Sequence, residues 1–152
     1  MPACEQRTGR HFAGPFPFGR ATMKSITTES APAAGGHYSQ AIVHAGLVYV
    51  AGQLPLVPGD GSRKLAGASF EEQAEQVISN VIAIVQAAGS APERILRTTV
   101  YIADAGHWPA FNAIYARRMG SHRPARTVVP VSGLHYGFLV EMDAIAALRG
   151  ED

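Results

Sequence analysis

The spacing of apolar residues along the chain predicts two helices. Over residues 70–88 apolar side chains recur every three or four positions, which is the pattern of an amphipathic helix with one buried face. Ser69 and Glu72 have the spacing of a capping box, and Gly89 stands where a helix commonly ends. A shorter stripe of about 12 residues follows Pro109, a residue favoured in the first turn of a helix.

Four other apolar segments are short, rich in β-branched residues and bounded by turn residues, which is typical of β-strands. They are residues 41–51, which predict a hairpin of two strands turning at Gly46, and residues 95–103, 126–131 and 137–147. The predicted order is β-β-α-β-α-β-β. We expect an α+β fold in which one mixed sheet carries both helices on one face.

The strand segments also predict which side chains share a face and which strand lies at an edge of the sheet. Alternation places Leu96, Thr98, Val100 and Ile102 on one face of their strand. Pro130 has no backbone N–H, so its strand is an edge strand or ends there. Because both helices cover one face of the predicted sheet, the other face is bare and rich in Val, Ile and Ala, which favours a partner on it.

The composition also concerns how the surface of the domain is covered. The chain has 152 residues, which is enough for one domain with a core and too few for two ordinary domains. Charged residues make up 16% of the chain, against about 25% in a typical soluble domain, and 47% are hydrophobic. Either a partner subunit or uncharged polar residues cover the remaining surface, and composition alone favours neither.

The first 22 residues differ from the rest. They contain three arginines, three prolines and one acidic residue, and they show no periodicity. We expect residues 1–22 to form a flexible N-terminal extension and residues 23–152 to form the domain. The single cysteine, Cys4, excludes an intrachain disulfide and fits a reducing compartment, so we expect a cytoplasmic protein.

Several classes of function lack support in the sequence. The net charge of +1 and the absence of a run of four like charges argue against a nucleic-acid partner. No apolar stretch reaches the roughly 18 residues of a membrane span. Motifs for phosphate loops, dinucleotide-binding turns, zinc proteases and serine hydrolases are absent, and the six histidines lack metal-ligand spacing. We expect no metal site, and a zinc ion binds only if the fold gathers the histidines.

Two ionisable residues stand in apolar strands. Arg126 begins a β-rich run, and Glu141 lies inside the last strand, on the same face as Leu139 and Asp143. A guanidinium binds a small carboxylate through two parallel hydrogen bonds, and a carboxylate in a core strand faces solvent, pairs with a cation or performs chemistry. A surface salt bridge for Arg126 and a solvent-exposed face for Glu141 are the simpler alternatives.

Two further positions permit a role at a ligand site. Tyr38 follows the flexible pair Gly35-Gly36 and either packs on the sheet or forms a wall of a site. Gly52 either lets the backbone approach another group closely or ends its strand in a turn.

Five segments in one order extend over about residues 26–148. They are Ala31-Pro32, Gly36-His37-Tyr38-Ser39-Gln40-Ala41, Val50-Ala51-Gly52-Gln53-Leu54-Pro55, Arg123-Pro124-Ala125-Arg126-Thr127 and Val140-Glu141-Met142-Asp143-Ala144-Ile145-Ala146. Together they resemble the signature of the RidA/YjgF family of reactive-intermediate deaminases, whose older name is endoribonuclease L-PSP.

The resemblance implies a chorismate-mutase-like (YjgF) fold and a homotrimer whose sheets close into a barrel, with clefts between subunits. It also implies an enamine/imine deaminase that hydrolyses 2-aminoacrylate-type intermediates to 2-keto acids and ammonia without a cofactor. By position, Arg126 corresponds to the arginine that anchors the substrate carboxylate, and Glu141 to the glutamate that activates water. The implied substrate-binding residues are Tyr38, Gly52, Asn112, Thr127 and Val128.

Some positions depart from the family pattern. Ala51 replaces a frequent serine or threonine, His37 replaces a common proline, and Val128 stands where a cysteine is common. The run His135-Tyr136-Gly137 before the last strand is also uncommon. Of these departures, Ala51 and His37 favour, as an alternative, a non-catalytic trimer that binds small carboxylates or partner proteins. RNA cleavage is a weaker alternative, because the chain has no basic patch.

Overall fold

The hydrophobic stripes form the two predicted helices. A computed structural model describes residues 22–59 and 61–150, so the extension predicted for residues 1–22 lies outside the described residues except at its last position. Helix α1 spans Phe70–Ala87 and helix α2 spans Trp108–Met119.

The start of α1 confirms the predicted capping box. Ser69 Oγ accepts a hydrogen bond from the Glu72 N–H at 3.3 Å, and the Glu72 carboxylate accepts one from the Ser69 N–H at 3.0 Å. Two backbone donors at the helix start thus find partners. Pro109 lies in the first turn of α2, and that helix ends at Gly120, where φ is 60°.

Six strands form one mixed sheet among the described residues. They are β1 (Lys24–Ile26), β2 (Ala41–His44), β3 (Leu47–Gln53), β4 (Ile95–Ile102), β5 (Ala125–Pro130) and β6 (Val140–Ala147). Their order is β1-β2-β3-β6-β4-β5, and β4 and β5 are parallel while the other pairs are antiparallel. The sequence missed β1, because three residues are too few to show an alternation. The prediction for Pro130 is confirmed, since it ends an edge strand.

The two faces of the sheet differ as the alternation of β6 predicts. Its buried side chains pack into the core that the sheet shares with both helices, and they are Val140, Met142, Ala144 and Ala146. Glu141 and Asp143 lie on the opposite face, which no described helix covers, and each is partly exposed. The predicted α+β fold, with one mixed sheet and both helices on one face, is confirmed.

One strand face differs from its prediction. The pairing of β4 with β6 shifts register between Ile95 and Arg97. Ile95 is therefore completely buried and Leu96 is 48% exposed, whereas Thr98, Val100 and Ile102 are buried as predicted.

Candidate functional site

A cleft of about 410 Å³ opens where β3 and β6 meet the loops at their ends. One wall comes from residues 32–35 with Tyr38 and Gln40. Residues 51–54 and Leu56 form the second wall. His135, Tyr136 and Glu141 complete the lining. Three of the residues predicted from the sequence, Tyr38, Gly52 and Glu141, thus share one cleft.

Glu141 lies directly against the backbone of Gly52. A Cβ added to Gly52 would overlap Oε1 of Glu141, so any other residue here displaces the carboxylate. The pairing of β3 with β6 shifts register between Val50 and Gln53, which places Gly52 in an irregular stretch of the strand. Gln53 supports this stretch by donating from its buried amide to the carbonyls of Ala51 and Gly52, at 3.1 and 3.3 Å.

The environment of Glu141 changes its acidity. Burial raises the pKa of the Glu141 carboxyl above its usual value. The charge of His135 opposes this shift, and the charge of Asp143 adds to it. A carboxyl group whose pKa is raised toward neutrality both accepts and donates protons readily, which general acid–base catalysis requires.

The wall of residues 32–35 is fixed by Gln40, a buried amide at the start of β2. Its Nε2 donates to the carbonyls of Thr28, Ala31 and Pro32, at 3.0, 3.3 and 2.7 Å. Its Oε1 accepts from the Thr28 N–H at 2.6 Å. Beside this wall, the Tyr38 hydroxyl accepts a hydrogen bond from the Gly35 N–H at 3.2 Å, and the ring is about half exposed at the cleft.

Arg126 lies away from this cleft, beside α2. Its guanidinium donates to Asn112 Oδ1 at 2.7 Å and lies over the ring of Tyr115, 4.7 Å from the centroid. The Tyr115 hydroxyl is in turn hydrogen-bonded to Thr98 at 3.0 Å. Among the described residues, Arg126 has no carboxylate within salt-bridge distance. Within residues 22–59 and 61–150, the guanidinium is therefore oriented but has no carboxylate to neutralise it.

Arg126 and Glu141 belong to opposite faces of the sheet. Arg126 pairs with Thr98 on the helix-covered face, whereas Glu141 pairs with Tyr101 on the other face. The strand β4 separates them, so their backbones lie roughly 10 Å apart along the strands and about 10 Å apart across them. One chain alone does not bring these two residues together.

The other predicted site residues divide in the same way. Asn112 and Val128 lie with Arg126, since Val128 packs against the core on the helix-covered face. Thr127 is exposed on the opposite face of the edge strand and does not line the cleft. The candidate site residues of the described chain thus form two separate groups, a candidate half-site around Glu141 and a candidate half-site around Arg126.

Comparison with known proteins identifies the family. Residues 28–148 match the sequence profile described as Endoribonuclease L-PSP. The chain belongs to the endoribonuclease L-PSP family. The resemblance to RidA/YjgF proteins seen in the sequence is therefore confirmed.

Several relatives of this L-PSP family member cover nearly all of its described part. The protein HMF1 of Saccharomyces cerevisiae is 38% identical over 128 residues, which are 84% of this chain and 97% of that protein. Reactive Intermediate Deaminase A of Arabidopsis thaliana is also 38% identical, over 81% of this chain and 65% of that protein. A crystal structure of E. coli TdcF with bound serine has a TM-score of 0.77 and 33% identity, over 83% of this chain and 99% of that chain.

From residue 22 to residue 150, leaving out residue 60, no three His, Cys, Asp or Glu side chains gather as a metal site would require. In the same part of the chain, no helix is long and apolar enough to cross a bilayer.

Sequence reasoning missed Gln40 and Gln53 as parts of the cleft. Both are buried amides at strand ends, and each makes several hydrogen bonds to the backbone that shapes the cleft. The available signal was that Gln53 lies inside an otherwise apolar run and that Gln40 directly precedes one. A glutamine in such a place is buried only when it is hydrogen-bonded.

Proposed function

We propose that this L-PSP family member is an enamine/imine deaminase that hydrolyses 2-aminoacrylate-type intermediates to 2-keto acids and ammonia. The active site is completed between two copies of the chain in a homotrimer. Each cleft then combines the Glu141 half-site of one subunit with the Arg126 half-site of its neighbour. No metal or organic cofactor takes part.

The observation that carries this proposal is the carboxyl group of Glu141, held against Gly52 in the cleft with a raised pKa. Hydrolysis of an imine needs a base for the attacking water and an acid for the departing nitrogen. A half-buried glutamate that is ready to exchange protons fits both roles. Tyr38, on the wall of the same cleft, provides a ring against which a small substrate packs.

The Arg126 half-site provides the anchor for a carboxylate. Asn112 and Tyr115 orient the guanidinium, and no described carboxylate occupies it. An oriented guanidinium forms paired, charge-assisted hydrogen bonds with a substrate carboxylate and so positions the reacting carbon. TdcF, a relative in the same family, has a crystal structure with bound serine, which is a small molecule that carries such a carboxylate.

The uncovered face of the sheet supports assembly. On this face Tyr49 is 42% exposed, and it pairs with Ile42 on β2 and Ile145 on β6. An apolar patch of this kind is a typical protein–protein contact. Packing such faces together in a trimer covers them. A chain in which only 16% of the residues are charged then exposes less apolar surface to water.

The function is tested by coupling the protein to a dehydratase that generates 2-aminoacrylate and following loss of the imine. The wild type should accelerate this loss above the spontaneous rate, and Arg126→Ala should abolish the acceleration. Arg123→Ala is the matched control, because Arg123 is exposed and lies only three residues away. A wild type that shows no acceleration contradicts the proposal, and a wild type that only binds small carboxylates supports the non-catalytic alternative.

A further inference from the structure

The loop His135–Gly137 forms a wall of the cleft that the proposed reaction leaves unused. His135 and Tyr136 line the cleft together with Glu141. His37 directly precedes the cleft residue Tyr38 in the sequence, but His37 itself does not line the cleft. The cleft therefore offers one imidazole beside its carboxyl group.

The conformation of this loop is held in place by its neighbours. Tyr136 has φ 62° and ψ 14°, a left-handed conformation that residues with a Cβ rarely adopt. The Arg63 guanidinium lies over the Tyr136 ring, 3.7 Å from the centroid, and the buried Phe138 ring contacts it edge-on. Strained backbone that the surrounding structure maintains is concentrated at functional sites.

The charged groups around the cleft favour an interaction between His135 and Glu141. His135 lies close enough to Glu141 for their charges to interact. The other described ionisable groups are Asp143 on β6 and Tyr101 on β4, whose charges interact with that of Glu141, and the phenols of Tyr38 and Tyr136, which line the cleft. The Arg63 guanidinium lies over the ring of Tyr136.

We propose that His135 is a second proton-transfer residue of this active site and works as a pair with Glu141. The inference rests on the proposed deaminase function and adds the group that exchanges protons with the substrate nitrogen. An imidazole both accepts and donates a proton through its ring nitrogens, which suits this role.

Glu141 and His135 together carry out the hydrolysis, and the protons that they give up and take up balance. Water adds to the imine carbon, the C=N π electrons move to nitrogen, one water proton goes to the Glu141 carboxylate, and the His135 imidazolium protonates the nitrogen. In the resulting carbinolamine, Glu141 then returns its proton to the nitrogen, and the C–N bond breaks as ammonia leaves with the electron pair. The hydroxyl proton passes to neutral His135 as the C=O bond forms. Both side chains end in their starting states.

The test compares kcat as a function of pH for the wild type, His135→Asn and His37→Asn, with His135→Ala assayed in the presence of added imidazole. General acid–base groups contribute about 100-fold or more, so we expect His135→Asn to lower kcat at least tenfold while KM changes little. The variant should also change the pH profile of kcat, because one of the two proton-transfer groups is gone. His37→Asn should behave like the wild type, and imidazole should restore activity to His135→Ala.

The proposal is overturned if His135→Asn keeps the kcat and the pH profile of His37→Asn. It is also overturned if kcat falls with an unchanged pH profile and imidazole restores nothing, because that pattern describes a merely structural role. These results leave the proposed function intact, since the wild type is active in both. An inactive wild type rejects the deaminase function itself and this inference with it.

Discussion

The carboxylate of Glu141 lies so close to Gly52 that a methyl group on Gly52 would overlap its oxygen. The glycine therefore provides the space that the carboxyl group of Glu141 occupies in the cleft. This contact joins β3 to β6 at the point where their pairing shifts register. It makes the position of the Glu141 carboxyl group sensitive to a single added carbon.

Gly52→Ala should disable the site by moving Glu141. A displacement of about 1 Å costs on the order of 100-fold in rate, so we expect kcat to fall by that factor in the imine-hydrolysis assay. Gly67→Ala is the control, since nothing lies within 4 Å of the added Cβ and this glycine has no positive φ. Equal activity of the two variants would contradict the role given to this contact.

Glu141→Gln should change activity and stability in opposite directions. Burial raises the pKa of this carboxyl, so between its unfolded and folded pKa values the folded chain holds a proton that the unfolded chain releases. Raising the pH through that window lowers the free energy of unfolding, and the loss is complete above the folded pKa.

A glutamine at position 141 does not ionise, so the variant avoids this loss in the free energy of unfolding. Glu141→Gln should therefore unfold at a higher temperature than the wild type at pH 7, by a small margin because the carboxyl is only partly buried, and at the same temperature near about pH 4. Its activity should fall roughly 100-fold. Glu29→Gln, at an exposed position, should change neither property. An unfolding temperature at pH 7 that is lower for Glu141→Gln than for the wild type would contradict the predicted direction of the stability change.

Tyr49→Glu should prevent assembly of the proposed trimer. A carboxylate placed among Ile42 and Ile145 loses its hydration when the uncovered faces pack together, which costs several kcal/mol. We expect light scattering after size exclusion to give the mass of one chain, and we expect the deaminase activity to disappear. Gln86→Glu, on the exposed side of α1, should stay trimeric and active. A Tyr49→Glu protein that is monomeric and fully active would mean that one chain holds the whole site.

Most of the fold was predictable because its signals are local. The capping box and the stripe of α1 lie within one continuous segment, and the alternation of β6 is uninterrupted. The exposure of Leu96 was not predictable, because it follows from a register shift in the pairing of β4 with β6, two strands that are neighbours in the sheet but far apart in the sequence. Three residues of β1 likewise carry too little pattern to be found before their partner strand is known.

The residues of the site were easier to find from the sequence than their arrangement. Arg126 and Glu141 stand out as charges in apolar strands, and the family resemblance gives each a role. Their separation onto opposite faces depends on which strands pair, and in which register, and this is a property of the whole sheet. The wall that His135 and Tyr136 form depends on a left-handed backbone conformation at a residue with a side chain, which no local pattern indicates.

The central claim, that each active site combines Glu141 of one subunit with Arg126 of another, is tested most directly by mixing two inactive variants. Arg126→Ala and Glu141→Gln are co-expressed in equal amounts, and imine hydrolysis is measured for each variant alone and for the mixture. In a cyclic trimer, every mixed assembly has one cleft with both native residues, so random mixing restores about a quarter of the wild-type activity. A mixture that is no more active than the separate variants would contradict the shared site.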